Sequence, residues 1–300
     1  MKRKQNVPNR NGPIAHWFAQ TYGCYDAVSA IRKVVAHALD LSHQSTAPVN
    51  LDKVSATRSI VRTLYASSLK TCARLQPTNN GFVVALQKDP HWYTRKEWWA
   101  HEIAHTFFYD VAAHPPRRLI AAGSREEESL CDLIGRELII PTSFLKESAI
   151  DSNPSISELR RLCKLFRSTL STMARRLLVD LELWEAVFVV CEKRRSLCAT
   201  SRIENQIATL RIVQRIGPIK KGRFVPLNKR VEEMPVIGDA FRLNRFVEGT
   251  VIFDRIGDLR GPMKIEAAPL PINDQGNQRV MALFHTQGVG NHKASAAQAA

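Results

Sequence analysis

The sequence predicts an α+β fold in which helices and one short sheet precede a small β-rich C-terminal domain. Three observations carry this prediction: apolar residues at helical spacing within residues 21–45, a buried-strand run at Phe82–Leu86, and short β-rich runs after residue 206. A chain of 300 residues, of which 44% are hydrophobic, is long enough to bury more than one core. We therefore expect two or three modules.

The predicted modules follow changes in composition along the chain. They are a basic flexible tail (1–20), a first folded domain (21–150), a helical segment (151–200), a β-rich domain (201–290) and a frayed tail (291–300).

The formal net charge of +15 is concentrated at the two ends of the chain. Residues 1–20 hold four basic and no acidic side chains, and residues 201–300 hold 15 basic against nine acidic ones. Residues 21–150 are close to neutral, with 15 basic and 13 acidic side chains. The basic ends are compatible with an acidic partner, with nucleic acid or with a solubilising surface, and the charge alone leaves these open.

Helices and a buried strand are predicted before residue 90. Apolar residues at helical spacing from Ala27 to Leu39 predict one helix, and a second amphipathic helix is predicted over Ala56–Leu75. Asn79-Asn80-Gly81 is typical of a turn, and Phe82–Leu86 reads as a buried strand that ends at Asp89-Pro90.

The next predicted helix contains the most informative motif of the chain. Thr94 and Glu97 have the spacing of a capping box, and Tyr93 with Trp98 has that of a hydrophobic staple. We expect this helix to end before His114-Pro115-Pro116. It includes His101-Glu102-Ile103-Ala104-His105, an HExxH sequence.

HExxH on a helix points to metal chemistry. Residues four apart lie one turn above each other, so His101 and His105 can reach the same ion. Zinc suits such a site, and the glutamate beside the first histidine then accepts a proton from the water that attacks a carbonyl group. Glu102 is the expected general base. The alternative is two surface histidines on an ordinary helix, but the surrounding apolar side chains favour a buried one.

A third metal ligand is expected on the following helix. Ser124 and Glu127 form a predicted capping box, which leaves Glu128 in the first full turn. Asp132 lies one turn further on the same face and can accept a hydrogen bond from the outer nitrogen of a ligand histidine. Glu126 and Glu127 are expected to be a solvated, acidic helix start.

These motifs together resemble the ImmA/IrrE family of bacterial and phage metallopeptidases over roughly residues 20–180. The likeness consists of the HExxH sequence, Glu128 and the run from Asp132 to Pro141. It implies a zincin-like helical metallopeptidase domain with one Zn²⁺ per chain, held by His101, His105 and Glu128. It also implies an endopeptidase that cleaves a helix-turn-helix transcriptional repressor in a stress or mobile-element response. The chain departs from the family's usual pattern at Cys131-Asp132 and at Ile134-Gly135.

A helix-turn-helix-like segment is predicted after Pro141. A capped helix opens at Ser155, and a second runs from Ser168-Thr169 toward Trp184. Arg167-Ser168 stands where the turn usually has a glycine, so both DNA binding and packing against the first domain remain open. Its basic residues are expected to form a solvated face; they are Arg160, Arg161, Arg175 and Arg176.

The C-terminal domain is predicted from four β-rich runs separated by Gly and Pro turns. They are Ala208–Val213, Gly249–Phe253, Met263–Ala267 and Val280–Phe284. A basic cluster in this region indicates an acidic partner; it consists of Lys220, Lys221, Arg223, Lys229 and Arg230.

Composition and local motifs also bear on the compartment. No run approaches the ~18 apolar residues that span a bilayer, and the first residues lack the apolar core of a signal peptide. The six cysteines form no Cys-x-x-Cys pair, so free thiols are expected. We expect a cytoplasmic protein with no membrane partner.

Two functional hypotheses remain from the sequence. The first is a zinc endopeptidase, in which the residue that stabilises the oxyanion is Tyr93, Tyr109 or His114. The second is a non-catalytic regulatory or DNA-binding protein on a metallopeptidase-like scaffold. The zinc content of the purified protein separates them.

Overall fold

A computed structural model describes residues 12–88, 91–121, 123–150, 152–195, 208–217, 227–231, 234–256 and 259–285. The predicted α+β class is confirmed. The chain divides into two compact units, the first comprising residues 1–151 and 161–173 and the second residues 152–160 and 174–300. Most of the predicted basic tail and the whole predicted frayed tail lie outside the described residues.

Three helices open the first unit: α1 (Pro13–Thr21), α2 (Ala27–Leu41) and α3 (Leu51–Thr57). The helix predicted from apolar spacing corresponds to α2, whose N-terminus is capped by the Asp26 carboxylate. Asn50 caps α3 in the same way, through the backbone N–H groups of Asp52 and Lys53. Side-chain caps therefore fix where both helices begin.

A three-stranded sheet follows, with the strand order β1-β3-β2. Its strands are β1 (Ile60–Ala66), β2 (Ala73–Thr78) and β3 (Gly81–Gln87), and β3 contains the predicted buried strand. Strand β1 is parallel to β3 and β2 is antiparallel to it, so β2 forms one edge of the sheet.

The helix predicted over Ala56–Leu75 is wrong, because half of that range forms β1 and the start of β2. Val61, Leu64 and Tyr65 have helical spacing, but their side chains are 57%, 36% and 56% exposed on the strand. Their spacing therefore does not mark a buried helix face. The turn before β3 requires glycine, since Gly81 has φ +133° and a Cβ there would lie 2.3 Å from the Ser59 carbonyl oxygen.

Helix α4 (Trp92–His105) carries the HExxH sequence, but its start differs from the prediction. His91 is the N-cap residue, and its Nδ1 accepts a hydrogen bond from the Tyr93 backbone N–H at 3.3 Å. The predicted Thr94–Glu97 capping box is wrong, because Glu97 accepts hydrogen bonds from Thr169 instead. A 3-10 turn (Thr106–Phe108) follows the helix.

Two short strands and two helices complete the region around α4. Strands β4 (Tyr109–Asp110) and β5 (Arg117–Arg118) pair with each other, and they lead to α5 (Arg125–Ile139) and α6 (Thr142–Ala149). Ser124 caps α5 as predicted, its hydroxyl oxygen accepting the Glu127 N–H at 3.0 Å. Gly135 permits close contact between α5 and α4, since a Cβ there would lie 3.2 Å from the His101 backbone nitrogen.

The predicted pair of helices after Pro141 is present as α7 (Ile156–Phe166) and α8 (Leu170–Arg175), with a π-helical turn at Arg176–Asp180. Arg167 has φ +51°, so this arginine adopts the left-handed conformation usual for glycine. The prediction of a solvated basic face is wrong for Arg176, which is 3% exposed and pairs with Asp180.

The second unit contains a five-stranded antiparallel sheet of order β7-β6-β10-β9-β8. The four predicted runs fall in four of its strands: β7 (Ala208–Ile216), β8 (Val247–Ile256), β9 (Leu259–Leu270) and β10 (Arg279–His285).

Two elements of the second unit were not predicted. The first is strand β6 (Ala186–Arg195), so the prediction that residues 151–200 are helical is wrong for this part of the range. The second is helix α9 (Pro235–Leu243), which lies in a region predicted to be β-rich. Ile237 and Ala240 of α9 belong to the same buried core as residues of the sheet. Of the predicted basic cluster, Lys220, Lys221 and Arg223 lie outside the described residues.

Two further observations concern the described residues alone. Among them no helix is both long enough and apolar enough to cross a membrane. The cysteines at positions 24, 72, 131, 163 and 191 are free thiols, as predicted for those positions.

Candidate metal centre

Two histidines on α4 face helix α5. The imidazole rings of His101 and His105, one helical turn apart, have centroids 5.0 Å from each other. The His101 side chain is 9% exposed and that of His105 is 15% exposed. The close approach at Gly135 brings the acidic face of α5 within reach of both rings.

Glu128 on α5 lies between the two histidines. Its Oε2 is 3.2 Å from His101 Nε2, and its Oε1 is 3.5 Å from His105 Nε2. One ligand atom from each of these three residues lies within 4.8 Å of the others, so they form a candidate metal-ligand group.

The distances from Glu128 to the two histidines are compatible with a zinc site. Zn–N and Zn–O bonds of about 2.0–2.1 Å in a tetrahedral site separate neighbouring ligand atoms by roughly 3.3 Å. The distances from Glu128 to the two imidazole nitrogens, 3.2 and 3.5 Å, bracket that value. The Glu128 side chain is 48% exposed, so one side of the group opens to solvent.

The outer nitrogen of each histidine contacts a carboxylate. His101 Nδ1 lies 2.8 Å from Asp132 Oδ1, the contact that the sequence predicts for Asp132. His105 Nδ1 lies 3.1 Å from Glu127 Oε1. Both imidazoles are therefore oriented with Nε2 toward Glu128.

The prediction that Glu127 is part of a solvated helix start is wrong. Glu127 is 1% exposed, and besides His105 its carboxylate accepts hydrogen bonds from Arg118 Nη2 at 2.6 Å and from the Gly123 N–H at 3.1 Å. The spacing on α5 indicates where Glu127 lies. Glu127 and Cys131 are one helical turn apart, next to the face that carries Glu128 and Asp132, so Glu127 also lies close to the histidines. Nothing in the sequence pattern singles out Arg118.

Glu126 is likewise not free in solvent. Its Oε1 accepts the Ala15 backbone N–H at 2.8 Å, at the start of α1. The N-cap position of that helix is Gly12, which has no side chain to cap it. Glu126 therefore supplies the cap from α5 and has no contact with the two histidines in the described structure.

The carboxylates change the protonation of the site in its metal-free form. Burial lowers the pKa of His101, but hydrogen bonds with Asp132 and Glu128 outweigh it and raise that pKa to about 9. Burial raises the pKa of Glu127, but hydrogen bonds with His105 and Arg118 outweigh it and hold that pKa below its usual value. Glu127 is thus held ionised beside His105.

Glu102 lies next to His101 and lines the same cleft. It is 8% exposed, and its carboxylate accepts a hydrogen bond from the backbone of Leu75 on β2. Burial raises the pKa of Glu102, which opposes the lowering effect of His101 and His105. A carboxylate with a raised pKa is better suited to accept a proton near neutral pH.

The cleft has a volume of about 990 Å³ and contains the three candidate ligands and Glu102. One wall is formed by residues 69–75, which include the start of edge strand β2. Of the three oxyanion-stabilising candidates, Tyr109 lines this cleft, and its hydroxyl oxygen accepts a hydrogen bond from Arg118 Nη1 at 3.0 Å. Tyr93 and His114 are not among the lining residues, and His114 is exposed with its ring nitrogen near the Ala112 carbonyl.

A second group of possible ligands consists of His105, Glu127 and Cys131. The Cys131 sulfur lies 3.3 Å from His105 Nδ1. This group is a poor metal site, because both Glu127 oxygens already bind Arg118 and Cys131 has no exposed surface. Its residues support the orientation of His105.

The turn between α7 and α8 is held by two adjacent residues of α4. Lys96 Nζ donates to the Phe166 carbonyl at the end of α7, at 3.1 Å, and Glu97 accepts the Thr169 hydroxyl before α8 at 2.6 Å. The Lys96 side chain thus lies at the C-terminal end of α7 and the Glu97 side chain at the N-terminal end of α8, as the helix dipoles favour. A helix-turn-helix that reads DNA uses the start of its second helix, and here a carboxylate occupies that position.

Comparisons with known proteins add little to this description. No protein-family model matches the chain, and no curated protein matches it. Among solved structures, a Mycobacterium tuberculosis transcriptional regulator matches with a TM-score of 0.49 at 12% sequence identity, over 91% of this chain and 79% of that chain. A function for this protein therefore has to be inferred from the geometry of the site.

Proposed function

We propose that this protein is a zinc-dependent endopeptidase of the ImmA/IrrE type. The observation that carries the proposal is the convergence of His101, His105 and Glu128 at zinc-compatible spacing, with a carboxylate on each outer histidine nitrogen. Three protein ligands and an open fourth position are the arrangement of catalytic zinc sites, whereas structural sites are closed by four protein ligands.

The ligand residues have different tasks in this proposal. His101 and His105 would hold the ion, and Asp132 and Glu127 orient the two rings so that Nε2 of each faces Glu128. Glu128 supplies the third ligand from the solvent-facing side of the cleft. Bound zinc lowers the pKa of a water molecule to about 7 and polarises a carbonyl group.

Glu102 performs the proton transfers. Its carboxylate takes a proton from the attacking water and then delivers that proton to the nitrogen of the leaving amine, which returns Glu102 to its ionised state. The hydrogen bond from the Leu75 backbone fixes the position of the carboxylate. The Tyr109 hydroxyl, held by Arg118, is the group we assign to stabilise negative charge on the carbonyl oxygen.

The substrate class follows from the edge strand β2, which borders the cleft. Strand β2 has β3 on one side, and the Leu75 backbone hydrogen bond to Glu102 shows that its other side faces the site. Backbone groups along such an edge bind an extended peptide as an additional strand. We therefore propose an internal peptide segment as the substrate.

A helix-turn-helix transcriptional repressor is the substrate that the family resemblance implies. The test is incubation of the zinc-loaded protein with purified repressors encoded by neighbouring genes, followed by mass spectrometry of the products. The proposal expects a discrete pair of fragments that the Glu102→Gln variant does not produce. Intact repressors in both reactions would count against these substrates.

The alternative is a non-catalytic regulatory or DNA-binding protein. The hydrogen bond from Thr169, at the start of α8, to the Glu97 carboxylate disfavours DNA binding by the α7–α8 segment. Purified protein that contains no zinc, takes up none and shifts DNA in a salt-dependent manner would favour this alternative.

A further inference from the structure

The positive charge of the chain is concentrated in one stretch of the second unit. Residues 193–230 hold 11 basic side chains and one acidic side chain, a net charge of +10 against +15 for the whole chain. The structure describes three parts of this stretch, which are the end of β6, strand β7 and residues 227–230, and these parts contain no acidic residue. The surface that they form is therefore a candidate for an acidic partner.

Arginines stand in a row across the sheet of the second unit. Arg279 on β10 lies directly opposite Glu192 on β6, and Glu192 lies opposite Arg211 on β7. Arg211 in turn forms an antiparallel bridge with Arg230. Residues opposite each other share one face of a sheet, and Arg194, two residues after Glu192, lies on that face too. We call Arg194, Arg211, Arg230 and Arg279 the arginine face; Arg230 is exposed and the other three are half-buried.

The pairing of Arg211 with Arg230 is unfavourable by itself. Two backbone hydrogen bonds of 3.1 Å flank the pair; they run from the N–H of Ile212 to the Lys229 carbonyl and from the N–H of Val231 to the Leu210 carbonyl. This pattern makes the two arginines a non-hydrogen-bonded pair, the type in which opposite side chains lie closest. Like charges at such positions destabilise a sheet. Folding stability therefore does not explain two arginines here, whereas an anion bound by both would.

Neutral acceptors hold two of these guanidinium groups in place. Arg211 donates from Nε to Thr209 Oγ1 at 2.9 Å and from Nη1 to the Asn228 carbonyl at 3.0 Å. Arg279 donates from Nε and Nη2 to the Pro271 carbonyl, at 3.1 and 2.9 Å. These contacts orient the side chains without neutralising them, and a guanidinium has five N–H groups, so others remain to bind an anion.

Glu192 is the carboxylate of this row, and its oxygens are already occupied. Glu192 is 6% exposed, and it accepts hydrogen bonds from Arg194 Nε and from the side-chain amides of Asn273 and Asn277, each at 3.1 Å. Among the described residues it forms no ion pair with another member of the arginine face. Four guanidinium groups against one carboxylate leave this face strongly positive.

We propose that the arginine face binds the phosphate backbone of double-stranded DNA. Arginine binds phosphate oxygens through paired N–H groups, and duplex DNA presents a dense array of phosphates. Proteins that bind single strands stack the bases on aromatic side chains. In the described parts of β6, β7 and residues 227–231 the one aromatic residue is Phe188, which is buried. Phosphate contacts carry no sequence information, so the binding is independent of base sequence.

Fluorescence anisotropy of the full-length protein with a short labelled DNA duplex of arbitrary sequence tests the binding. Saturable binding is expected, and the logarithm of the association constant should fall with the logarithm of salt concentration with a slope of about −3 to −4, since each of four phosphate contacts contributes roughly −0.9. A single strand of the same length should bind more weakly. Absence of saturable binding at low salt would overturn the proposal, and tighter binding of polyglutamate than of the duplex would identify an acidic polypeptide as the partner instead.

Single substitutions locate the surface. Arg211→Gln and Arg230→Gln should each weaken binding several-fold and make the salt slope shallower by about 1, equally for unrelated duplex sequences. Arg245→Gln is the matched control: it removes the same charge from an exposed position just after α9, which packs on the other face of the sheet with Val189 and Cys191. Equal losses in all three variants would show that binding follows net charge alone and would refute the assignment.

The thermal midpoint of Arg230→Gln separates a binding role from a structural one. Because the substitution removes one of two like charges, the midpoint at low salt should be at least that of the wild type, while DNA binding weakens. A lowered midpoint would contradict the like-charge argument. DNA binding through this face by a protein that takes up no zinc would contradict the proposed function and leave this inference intact. A zinc-loaded peptidase that does not bind the duplex would do the reverse.

Discussion

His101 Nδ1 lies 2.8 Å from Asp132 Oδ1, while Nε2 of the same ring points to Glu128 at 3.2 Å. Glu128 and Asp132 are one turn apart on α5, so a single helix face supplies both the proposed ligand and the group that orients another ligand. Replacing Asp132 by Asn should weaken zinc binding by roughly 10- to 100-fold, because Asn is a weaker acceptor for the ring N–H. Competition with a fluorescent chelator measures this. Wild-type affinity in Asp132→Asn would show that the contact has no role in metal binding.

Glu127 should have the same effect on His105. Glu127→Gln removes the ionised acceptor beside His105 Nδ1 and the partner of Arg118, so zinc affinity should again fall by roughly 10- to 100-fold. Glu126→Gln is the matched control one residue away, and it should keep wild-type zinc affinity because Glu126 contacts α1. Equal losses in the two variants would indicate a general effect on the start of α5.

The proposed ligand set predicts a clear pattern of zinc content. His101→Ala, His105→Ala and Glu128→Ala should each be purified with little zinc, whereas Glu126→Ala should retain about one ion per chain. Metal analysis by mass spectrometry, with circular dichroism to confirm folding, makes the comparison. Full zinc content in a folded Glu128→Ala variant would exclude Glu128 as the third ligand.

Zinc affinity should depend on pH through His101. In the metal-free protein the pKa of His101 is raised to about 9, so zinc displaces a proton at neutral pH and binding strengthens as the pH rises toward 9. Between pH 6 and 8 the apparent affinity should rise by roughly tenfold per pH unit on account of this group. Asp132→Asn removes an interaction that raises this pKa, so its curve should level off at a lower pH. Chelator-buffered titrations in which the wild type and Asp132→Asn show the same dependence of zinc affinity on pH would contradict the role of Asp132 in raising the pKa of His101.

The lowered pKa of Lys96 predicts that the stability of the protein changes at alkaline pH. Burial lowers its pKa to about 8, against 10.5 for an ordinary lysine, so the unfolded chain binds more protons between these values. Because of Lys96, the free energy of unfolding should therefore increase as the pH rises from 8 to 10.5, by at most about 1.4 kcal/mol per pH unit. Urea unfolding of the wild type and Lys96→Met across this range isolates the contribution. A wild-type-minus-variant difference that does not vary with pH would contradict it.

The sequence predicted the parts of the site that repeat with helical spacing. His101 and His105 on α4, and Glu128 and Asp132 on α5, are each four residues apart, and the structure brings all four together. Arg118 could not be found in this way, because its place beside Glu127 depends on the pairing of two short strands.

The same limit explains the errors in the fold. Helical spacing identified α2, where the apolar face is buried, but it misled at Val61, Leu64 and Tyr65, where apolar residues are exposed on β1. Glu97 has the sequence spacing of a local cap for α4, yet it accepts hydrogen bonds from Thr169, the residue before α8, which is 72 residues away. Such long-range partners are set by packing, which a local pattern does not contain.

The cleavage rate of the Glu102→Gln variant tests the central claim most directly. The substitution keeps the size and polarity of the side chain but removes the proton acceptor, so fold, zinc content and substrate binding should persist. Cleavage of a substrate repressor should fall by about 10² to 10⁴, equivalent to roughly 3 to 5 kcal/mol of barrier. A folded, zinc-loaded Glu102→Gln protein that cleaves at the wild-type rate would contradict the mechanism, and loss of zinc in that variant would contradict the role assigned to Glu102.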